Sequence, residues 1–467
     1  MKGFNKLVKT LAVAACVGGT CAALTSCKSA DTSHTIVFYH TMGDSLQSVL
    51  ANAVESFESK YPGWTIDHSQ VGGYDDVKST IIGDLQGNIQ PNIAYCYADH
   101  VAQYIQTEKV IDLTKYINST DTIDVVLEDG STVSQIIGYS AEEIADFVPG
   151  YYAEGKSTNY ADYDEYGYSE NAMFTLPYVK STEVLYYNED ALKAAGITKR
   201  VNGQTVAAVP ETWDELWDAC AKLKAKYPSS TPLGYDSEAN WFITMCEQNG
   251  WGYTSASEPH YLFNNENTKA WLGKLKDYYD QKLFTSQEVY GSYTSNLFTL
   301  GASEGSVFSI GSSGGASHQA SDSFKWGVAP IPGSKVGDTV VHKAISQGPS
   351  LCMLTQGNEE KDLMAWLFMK ELLDPTFQAS FSIVSGYNPS RESTFEIPEY
   401  VAHLAGNDIT AVTANVAKSM SDDYFTSPAF IGSSEARTQV GALLVDAFTG
   451  QKSPADALAE AAKKCGA

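Results

Sequence analysis

The stretch HTIVFYHTMGDSLQSVLANAVESFESKYPGWTIDHSQV, residues 34–71, decides the fold. It begins with an apolar strand candidate over 34–40 and ends with another over 65–71. Pro62, between them, ends a helix because proline lacks an N–H and disfavours a helical residue before it. This succession of a strand, a helix and a second strand predicts a parallel sheet covered by helices. The helix is predicted from apolar residues spaced three and four apart on one face, namely Leu46, Val49, Leu50, Ala53, Val54 and Phe57.

The same alternation continues along the 467-residue chain, which is long enough for two or three domains. VKSTIIGDLQ at 77–86 predicts a helix, and NIAYCY at 92–97 and STEVLYYN at 181–188 predict strands. A further helix starts at Thr212, where Glu215 completes a capping box. Between Thr120 and Tyr178 the periodicity fades, which predicts a long, tyrosine-rich irregular insertion.

The N-terminus has the pattern of a secretory signal. Basic residues at 2, 6 and 9 precede an apolar run over 11–24 that is too short to span a membrane. LTSC at 24–27 resembles a bacterial lipobox, which implies a signal peptide over 1–26, a lipid on Cys27 and a polar tether over 27–33. Ordinary signal cleavage at another site is the alternative.

Charge and cysteine content exclude several classes of function. A net charge of −25 argues against a nucleic-acid binder, which needs a basic face. DYDEYG at 162–167 resembles the start of a calcium loop, but Tyr166 and Met173 occupy ligand positions. We therefore expect no metal and no cofactor. The remaining cysteines lack the spacing of a zinc site, and buried free thiols are expected although one bridge is possible: Cys96, Cys220, Cys246, Cys352 and Cys465.

GSSGG at 311–315 matches the G-x-S-x-G pattern of a serine-hydrolase elbow with Ser313 as nucleophile. Asp374 and His403 follow in the order of an α/β hydrolase. An elbow opens directly into a helix, however, and the residues after Gly315 show no helical face. We therefore interpret the segment as a loop at the end of the strand SVFSI, where α/β sheets hold ligands.

Several stretches together resemble the extracellular solute-binding proteins of ABC importers, the maltose-binding and glycerol-phosphate-binding kind. They are VPETWDELWDACAKL, LGASEGSVFSIGSSG, STEVLYYNED and AWLFMKELLDPTFQASFSIVSGYNPSR. The resemblance implies the two-lobed periplasmic-binding-protein fold of type II, an α/β fold in which each lobe is a mostly parallel sheet flanked by helices, with a hinge between them. It places 34–147 and 304–346 in lobe one, and 148–303 and 347–467 in lobe two.

The resemblance also implies a set of ligand-binding residues. Where the family has a ligand glutamate this chain has Ala98, with Asp99 beside it, and the departure favours a sugar over a polyol phosphate. The residues implied are Tyr74, Asp99, Ser181, Trp241, Ser312, Ser313, Gly348, Tyr387 and Arg437.

The function expected from the resemblance is that of a monomeric, membrane-anchored substrate-binding lipoprotein and not of an enzyme. It would capture a mono- or oligosaccharide on the extracytoplasmic face and deliver it to an ABC permease with its ATPase subunits. Three alternatives stay open: binding of glycerol phosphate or a glycerophosphodiester by the same fold, a secreted hydrolase using Ser313, and a surface adhesin.

Overall fold

The computed structural model describes residues 32–127 and 129–467. The predicted signal peptide, Cys27 and nearly all of the tether lie outside the described residues. The strands are β1 Thr35–His40, β2 Thr65–Gln70, β3 Ile93–Cys96, β4 Thr122–Val126, β5 Thr132–Ile136, β6 Leu176–Pro177, β7 Val179–Lys180, β8 Glu183–Asn188, β9 Thr198–Val201, β10 Gln204–Ala207, β11 Leu233–Tyr235, β12 Phe284–Ser286, β13 Phe308–Ser312, β14 Trp326–Pro330, β15 Ser334–Val336, β16 Thr339–Val341, β17 Ala344–Ile345, β18 Ser350–Met353, β19 Asn388–Pro389 and β20 Tyr424–Phe425.

The α-helices lie between these strands and after them in the described chain. They are α1 Asp44–Lys60, α2 Tyr74–Gly87, α3 Ala98–Tyr104, α4 Thr114–Ile117, α5 Ala141–Ala145, α6 Pro149–Ala153, α7 Glu189–Ala194, α8 Trp213–Lys226, α9 Glu238–Asn249, α10 Glu266–Asp280, α11 Gln287–Tyr290, α12 Ser295–Phe298, α13 Glu359–Leu372, α14 Pro375–Ser385, α15 Pro398–Leu404, α16 Ile409–Ser419, α17 Ser433–Thr449 and α18 Pro454–Cys465.

Two five-stranded sheets in the described chain share one topology. The first has the order β2-β1-β3-β18-β6, and the second has the order β12-β11-β13-β8-β14. In each sheet the middle strand is parallel to the strands on one side, and the fourth strand is antiparallel to both of its neighbours. Four strands of each sheet therefore point the same way, and the predicted α/β fold with two mostly parallel sheets is confirmed.

The reversed strand of each sheet comes from a chain segment that has just left the other lobe. β8 follows β6 and β7, and β18 follows β17. The expected lobe boundaries are therefore corrected: β13 and β14, within 304–346, belong to the second sheet, whereas β6 and β18 belong to the first. Sequence pattern alone missed this because a strand's partner is set by pairing far along the chain.

The first lobe is built around the opening stretch of sequence. Leu50, Ala53 and Phe57 on α1 are buried as the apolar spacing predicts. Helices α13 and α14 pack against α1, and the buried Trp366 of α13 donates its indole N–H to the carbonyl of Ile137 at 2.8 Å. The predicted insertion between 120 and 178 contains the β4–β5 hairpin and short helices.

The second lobe packs α8, α9, α10, α17 and α18 around its sheet. On α8 the Thr212 hydroxyl accepts the N–H of Glu215 at 3.3 Å, so Thr212 caps this helix as predicted. The other half of the predicted capping box does not form, because the Glu215 carboxylate accepts the N–H of Glu211, at 2.8 Å, and not that of Thr212. One apolar face of this helix is buried, formed by Leu216, Ala219, Cys220 and Leu223. The described cysteines are all free thiols, and only Cys465 is partly exposed.

Candidate functional site

Two of the chain segments that cross between the lobes lie side by side. Ser181 and Gln347 form an antiparallel bridge in which the Ser181 N–H donates to Gln347 at 2.9 Å and the Gln347 N–H donates back at 2.8 Å. The Thr182 hydroxyl donates to the Ile345 carbonyl at 2.9 Å. Gly348 follows at a φ of +92°, and a Cβ there would lie 2.5 Å from the Val179 carbonyl oxygen. The crossing is therefore packed so closely that Gly348 cannot carry a side chain without displacing backbone.

A cavity lies against this crossing and is walled by both lobes. The space between its walls, counted together with the open mouth, is about 680 Å³. The first lobe contributes the residues after β3, at the carboxyl end of a parallel strand, where α/β sheets hold ligands. The residues of both lobes that line the cavity are Tyr97, Ala98, Asp99, Glu154, Ser157, Lys180, Ile243, Tyr253, Ile345, Ser346, Gln347, Gly348, Ser350, Thr426, Ser427, Pro428, Ser433 and Arg437.

Lys180 is one of two cations in the lining, and it is neutralised within the wall. It forms an ion pair with Glu154, and its ammonium also lies 3.4 Å from the Ser350 hydroxyl. The Ser346 hydroxyl donates to the other carboxylate oxygen of Glu154 at 2.7 Å. Because the Lys180 side chain is only 2% exposed, this pair fixes the crossing segment more than it attracts a charged ligand.

Arg437, the second cation, is held by an amide. Its guanidinium donates to the side-chain oxygen of Asn240 and lies 5.9 Å from the centre of the Tyr97 ring. Gln347 also donates to that amide oxygen, at 3.1 Å, and the Asn240 amide nitrogen donates to Glu183 at 3.1 Å. Asn240 therefore links the crossing strand to Arg437.

Glu183 lies behind this network, fully enclosed by the second lobe. The Tyr235 hydroxyl donates to its carboxylate at 2.6 Å. Desolvation raises the pKa of Glu183 from 4.5 to about 8, against the opposing effect of hydrogen bonds from Tyr235 and Asn240. Burial therefore favours the protonated form of this carboxyl far more than in an exposed glutamate.

Aromatic rings and orphaned hydroxyls complete the wall. The Tyr74 ring stacks on Tyr97 with centroids 4.5 Å apart. The hydroxyls of Tyr253 and Ser427 are buried at the cavity without a hydrogen-bond partner among the described residues.

The structure brings some of the predicted site residues to the cavity. Asp99, Gly348 and Arg437 line it. Ser181 lies in the crossing behind it, and Tyr74 reaches it through the Tyr97 ring. That these residues bind a ligand stays a prediction.

Two predicted residues, Tyr387 and Ser312, instead meet at the loop after β13. A Cβ on Gly314 would lie 2.4 Å from the Tyr387 ring, so this first-lobe tyrosine packs directly on the second-lobe backbone. The Ser312 hydroxyl accepts the Gly314 N–H at 3.1 Å. Tyr387 and Gly314 therefore form a direct contact between the lobes.

The expectation that Trp241 forms an aromatic wall is corrected. Trp241 is 1% exposed and lies in the core of the second lobe, stacked on Tyr235 at 4.5 Å with Phe284 edge-on at 5.1 Å. It sits one position after Asn240 on α9, which places its ring on the core side of that helix. The neighbouring Asn240 is the residue that reaches the cleft network.

Ser313 is likewise enclosed. Its side chain is fully buried, and its hydroxyl accepts the N–H of Thr182 at 3.2 Å. A 3-10 helix, Ser313–Gln319, follows it, so the expectation of an irregular loop is wrong at this point. Asp374 caps α14, and His403 faces Asp408 at 3.9 Å. Neither forms a hydrogen bond with Ser313 in the part of the chain that the structure describes.

Sequence reasoning missed much of the cavity. Tyr97, Glu154, Lys180, Tyr253 and Gln347 were not predicted, although all line it. For Tyr97 a signal existed, because it is the last residue of the predicted strand 92–97, whose carboxyl end faces the cleft. The other four come together only through the crossing of the chain between lobes.

Two α/β lobes, joined by paired crossings and enclosing a cavity lined by rings and hydrogen-bonding groups, define a cleft-type ligand-binding protein. Residues 52–405 match the sequence family described as bacterial extracellular solute-binding protein. The chain belongs to this family. In the described residues we find no helix of the length and apolarity that crossing a membrane requires.

Curated relatives and solved structures agree with this assignment. The sn-glycerol-3-phosphate-binding periplasmic protein UgpB of Escherichia coli strain K12 is 22% identical over 445 residues, covering 92% of this chain and 91% of the relative. UgpB from Mycobacterium tuberculosis, in complex with glycerophosphocholine, has a TM-score of 0.73 at 17% identity, covering 93% of this chain and 98% of that one. Maltose-bound MalE3 of T. maritima has a TM-score of 0.71 at 17% identity, with coverages of 92% and 99%.

Proposed function

We propose that this protein is the substrate-binding component of an ABC importer and captures a carbohydrate in the cleft between its lobes. The observation that carries the proposal is the character of the cavity wall. Its charged groups balance, with Asp99 and Glu154 against Lys180 and Arg437, and two tyrosines, Tyr97 and Tyr253, line it together with hydroxyl and amide groups. A sugar presents apolar C–H faces and hydroxyl edges, and such a wall complements both.

Two of the similar solved structures bind ligands of this class. MalE3 binds maltose, and the GacH receptor of Streptomyces glaucescens, with a TM-score of 0.70 at 18% identity and coverages of 92% and 96%, binds acarbose. Both are sugars or sugar analogues. We infer that the same fold holds a mono- or oligosaccharide here.

Glycerol phosphate or a glycerophosphodiester is the second candidate ligand. Arg437 favours it, because no carboxylate among the described residues lies within ion-pair distance of its guanidinium. An arginine paired only with an amide oxygen keeps its charge available for a phosphate. The two UgpB relatives bind such compounds.

A thermal-shift screen with sugars and glycerol phosphates distinguishes the two candidate ligand classes, because a ligand that binds only the folded state raises Tm. Calorimetry with the best ligand then compares Arg437→Ala with Arg200→Ala, a control on the exposed strand β9. For a phosphorylated ligand Arg437→Ala should reduce affinity at least ~100-fold, and for a neutral sugar about tenfold or less. A protein whose Tm responds to none of these compounds contradicts the proposal.

Export and anchoring complete the proposed function. We infer that Cys27 carries a lipid, that residues 1–26 are removed, and that a monomer works on the extracytoplasmic face with its permease and ATPase subunits. The support is the lipobox at 24–27. Cys27→Ala should move the protein from the membrane to the soluble fraction, and a variant that stays membrane-bound with its lipid label contradicts the anchor.

We further propose that no covalent catalysis occurs at Ser313. Its hydroxyl is buried and already accepts a backbone N–H, whereas an activated serine needs an adjacent base. A fluorophosphonate probe should leave the folded protein unlabelled. Labelling that is lost in Ser313→Ala would instead support a hydrolase.

A further inference from the structure

Residues 154–163, here called the strap, belong to the tyrosine-rich insertion and are fixed to the first lobe. At its far end Tyr163 packs edge-on against Phe174 with ring centroids 5.0 Å apart. At its near end the Gly155 carbonyl accepts the Phe174 N–H at 3.1 Å. A Cβ on Gly155 would lie 2.2 Å from the Thr175 carbonyl oxygen, so the strap starts in close backbone contact with its own lobe.

Between these fixed ends the strap bonds to the second lobe. The Asn159 N–H donates to the carbonyl of Ala429 at 2.9 Å, and its side-chain amide donates to that of Ala256 at 3.1 Å. The Asp162 carboxylate accepts the N–H of Ile431 at 2.8 Å. Asp162, the first residue of the calcium-like DYDEYG motif, therefore bonds to backbone of the opposite lobe.

These bonds lie at the edge of the ligand cavity. Ser157 of the strap lines it from the first lobe, and Thr426, Ser427 and Pro428 line it from the second. Ala429, which bonds the strap, is the next residue along the chain. The cavity wall thus continues from one lobe to the other through the strap, and a chain-like ligand cannot leave the cavity there without breaking the strap's bonds.

We propose that the strap closes one end of the cleft and restricts the protein to short ligands, so that a long oligosaccharide is excluded. The inference rests on the proposed function for the identity of the ligand as a sugar. It assigns a specificity role to an insertion whose composition alone indicated only a surface segment. The residues that carry the role are Asn159 and Asp162, since their bonds join the strap to the second lobe.

The test weakens the strap's attachment to the second lobe by substitution and measures how the affinity for a sugar depends on the length of the sugar. This altered protein is called the opened strap. Asn159 has a φ of −62°, which proline adopts, so Asn159→Pro removes both of its bonds without straining the backbone at that residue. Combined with Asp162→Ala it removes the three hydrogen bonds described above and weakens the β-bridge between Thr158 and Ala429, which shares the Asn159 N–H bond. Asp164→Ala is the matched control, because it removes the same charge two residues further on, where the exposed side chain makes no bond to the second lobe in the described structure.

Calorimetry compares maltose with maltoheptaose and cellobiose with cellohexaose. We expect the unaltered protein and Asp164→Ala to bind the short member of a series at least ~10-fold more tightly, and the opened strap to reduce that ratio about tenfold. A long sugar that binds the unaltered protein as tightly as the short one overturns the inference. So does a length preference that survives in the opened strap.

If the protein binds none of these sugars, the proposed function is contradicted. The role of the strap in closing the cavity is then tested by a measurement that needs no ligand. Ser427→Cys, in a Cys465→Ser background, places a thiol in the cavity while the other described cysteines are buried. The measured quantity is the labelling rate with a small maleimide divided by that with a maleimide on a polyethylene glycol chain. Opening the strap should lower this ratio about tenfold, and an unchanged ratio overturns the inference.

Discussion

Replacing Gly348 by alanine tests how tightly the crossing segments pack. The new Cβ would lie 2.5 Å from the Val179 carbonyl oxygen and 2.8 Å from the Lys180 Cα, and both atoms belong to backbone that cannot rotate away. A φ of +92° adds strain of about 1–3 kcal/mol for a residue with a Cβ. Overpacking adds about 1–3 kcal/mol more. The expected loss in the free energy of unfolding is about 2–6 kcal/mol, a large share of the ~5–15 kcal/mol typical of a folded domain.

Gly337→Ala provides the matched control. Gly337 also has a positive φ, +60°, but a Cβ there meets nothing within 4 Å. The free energy of unfolding that Gly337→Ala loses therefore reflects the backbone strain without the steric clash. Urea unfolding followed by tryptophan fluorescence measures the free energy of unfolding of both variants. The two losses should differ by about 1–3 kcal/mol. If they agree within ~0.5 kcal/mol, the crossing is not as closely packed as described and the reasoning fails.

Three further substitutions test the second lobe. Trp241→Ala should cost about 3–5 kcal/mol in urea unfolding, because it empties a core position, and a loss below ~1 kcal/mol would contradict the core assignment. Thr212→Ala removes the cap of α8 and should cost about 1 kcal/mol by the same measurement, whereas an unchanged midpoint would show that the cap contributes nothing. Because burial raises the pKa of Glu183 from 4.5 to about 8, the folded state binds the extra proton and stability falls as pH rises through that interval. Glu183→Gln should flatten this fall in pH-dependent unfolding, and an unaltered slope would show that Glu183 does not cause it.

Features set by neighbouring residues were predictable from the sequence. The apolar spacing on α1 and the Thr212 cap on α8 both depend on contacts within a few positions of each other. The structure forms both as predicted, and the two-lobed α/β class follows from the repeated alternation of such elements.

Features set by distant contacts were not predictable. Which sheet β13 and β18 join depends on pairing with strands far away in the sequence, so the lobe boundaries were wrong there. Trp241 and Asn240 are neighbours on one helix, and only the packing of α9 shows that the amide and not the ring reaches the cleft network. Tyr253 has no local pattern that distinguishes it from other tyrosines.

The shared topology of the two sheets has a consequence for the order of assembly during synthesis. The second sheet ends with β14 at Pro330, but the first needs β18, which ends at Met353 and pairs with β3. As the chain emerges from its N-terminal end, the later sheet thus has all its strands before the earlier one does. The pairing of β3 with β18 forms later than the pairings of the second sheet, because strands so far apart in the sequence pair slowly. Until then the edge of β3 that β18 will cover exposes unpaired backbone N–H and C=O groups, which is the kind of edge on which chains aggregate.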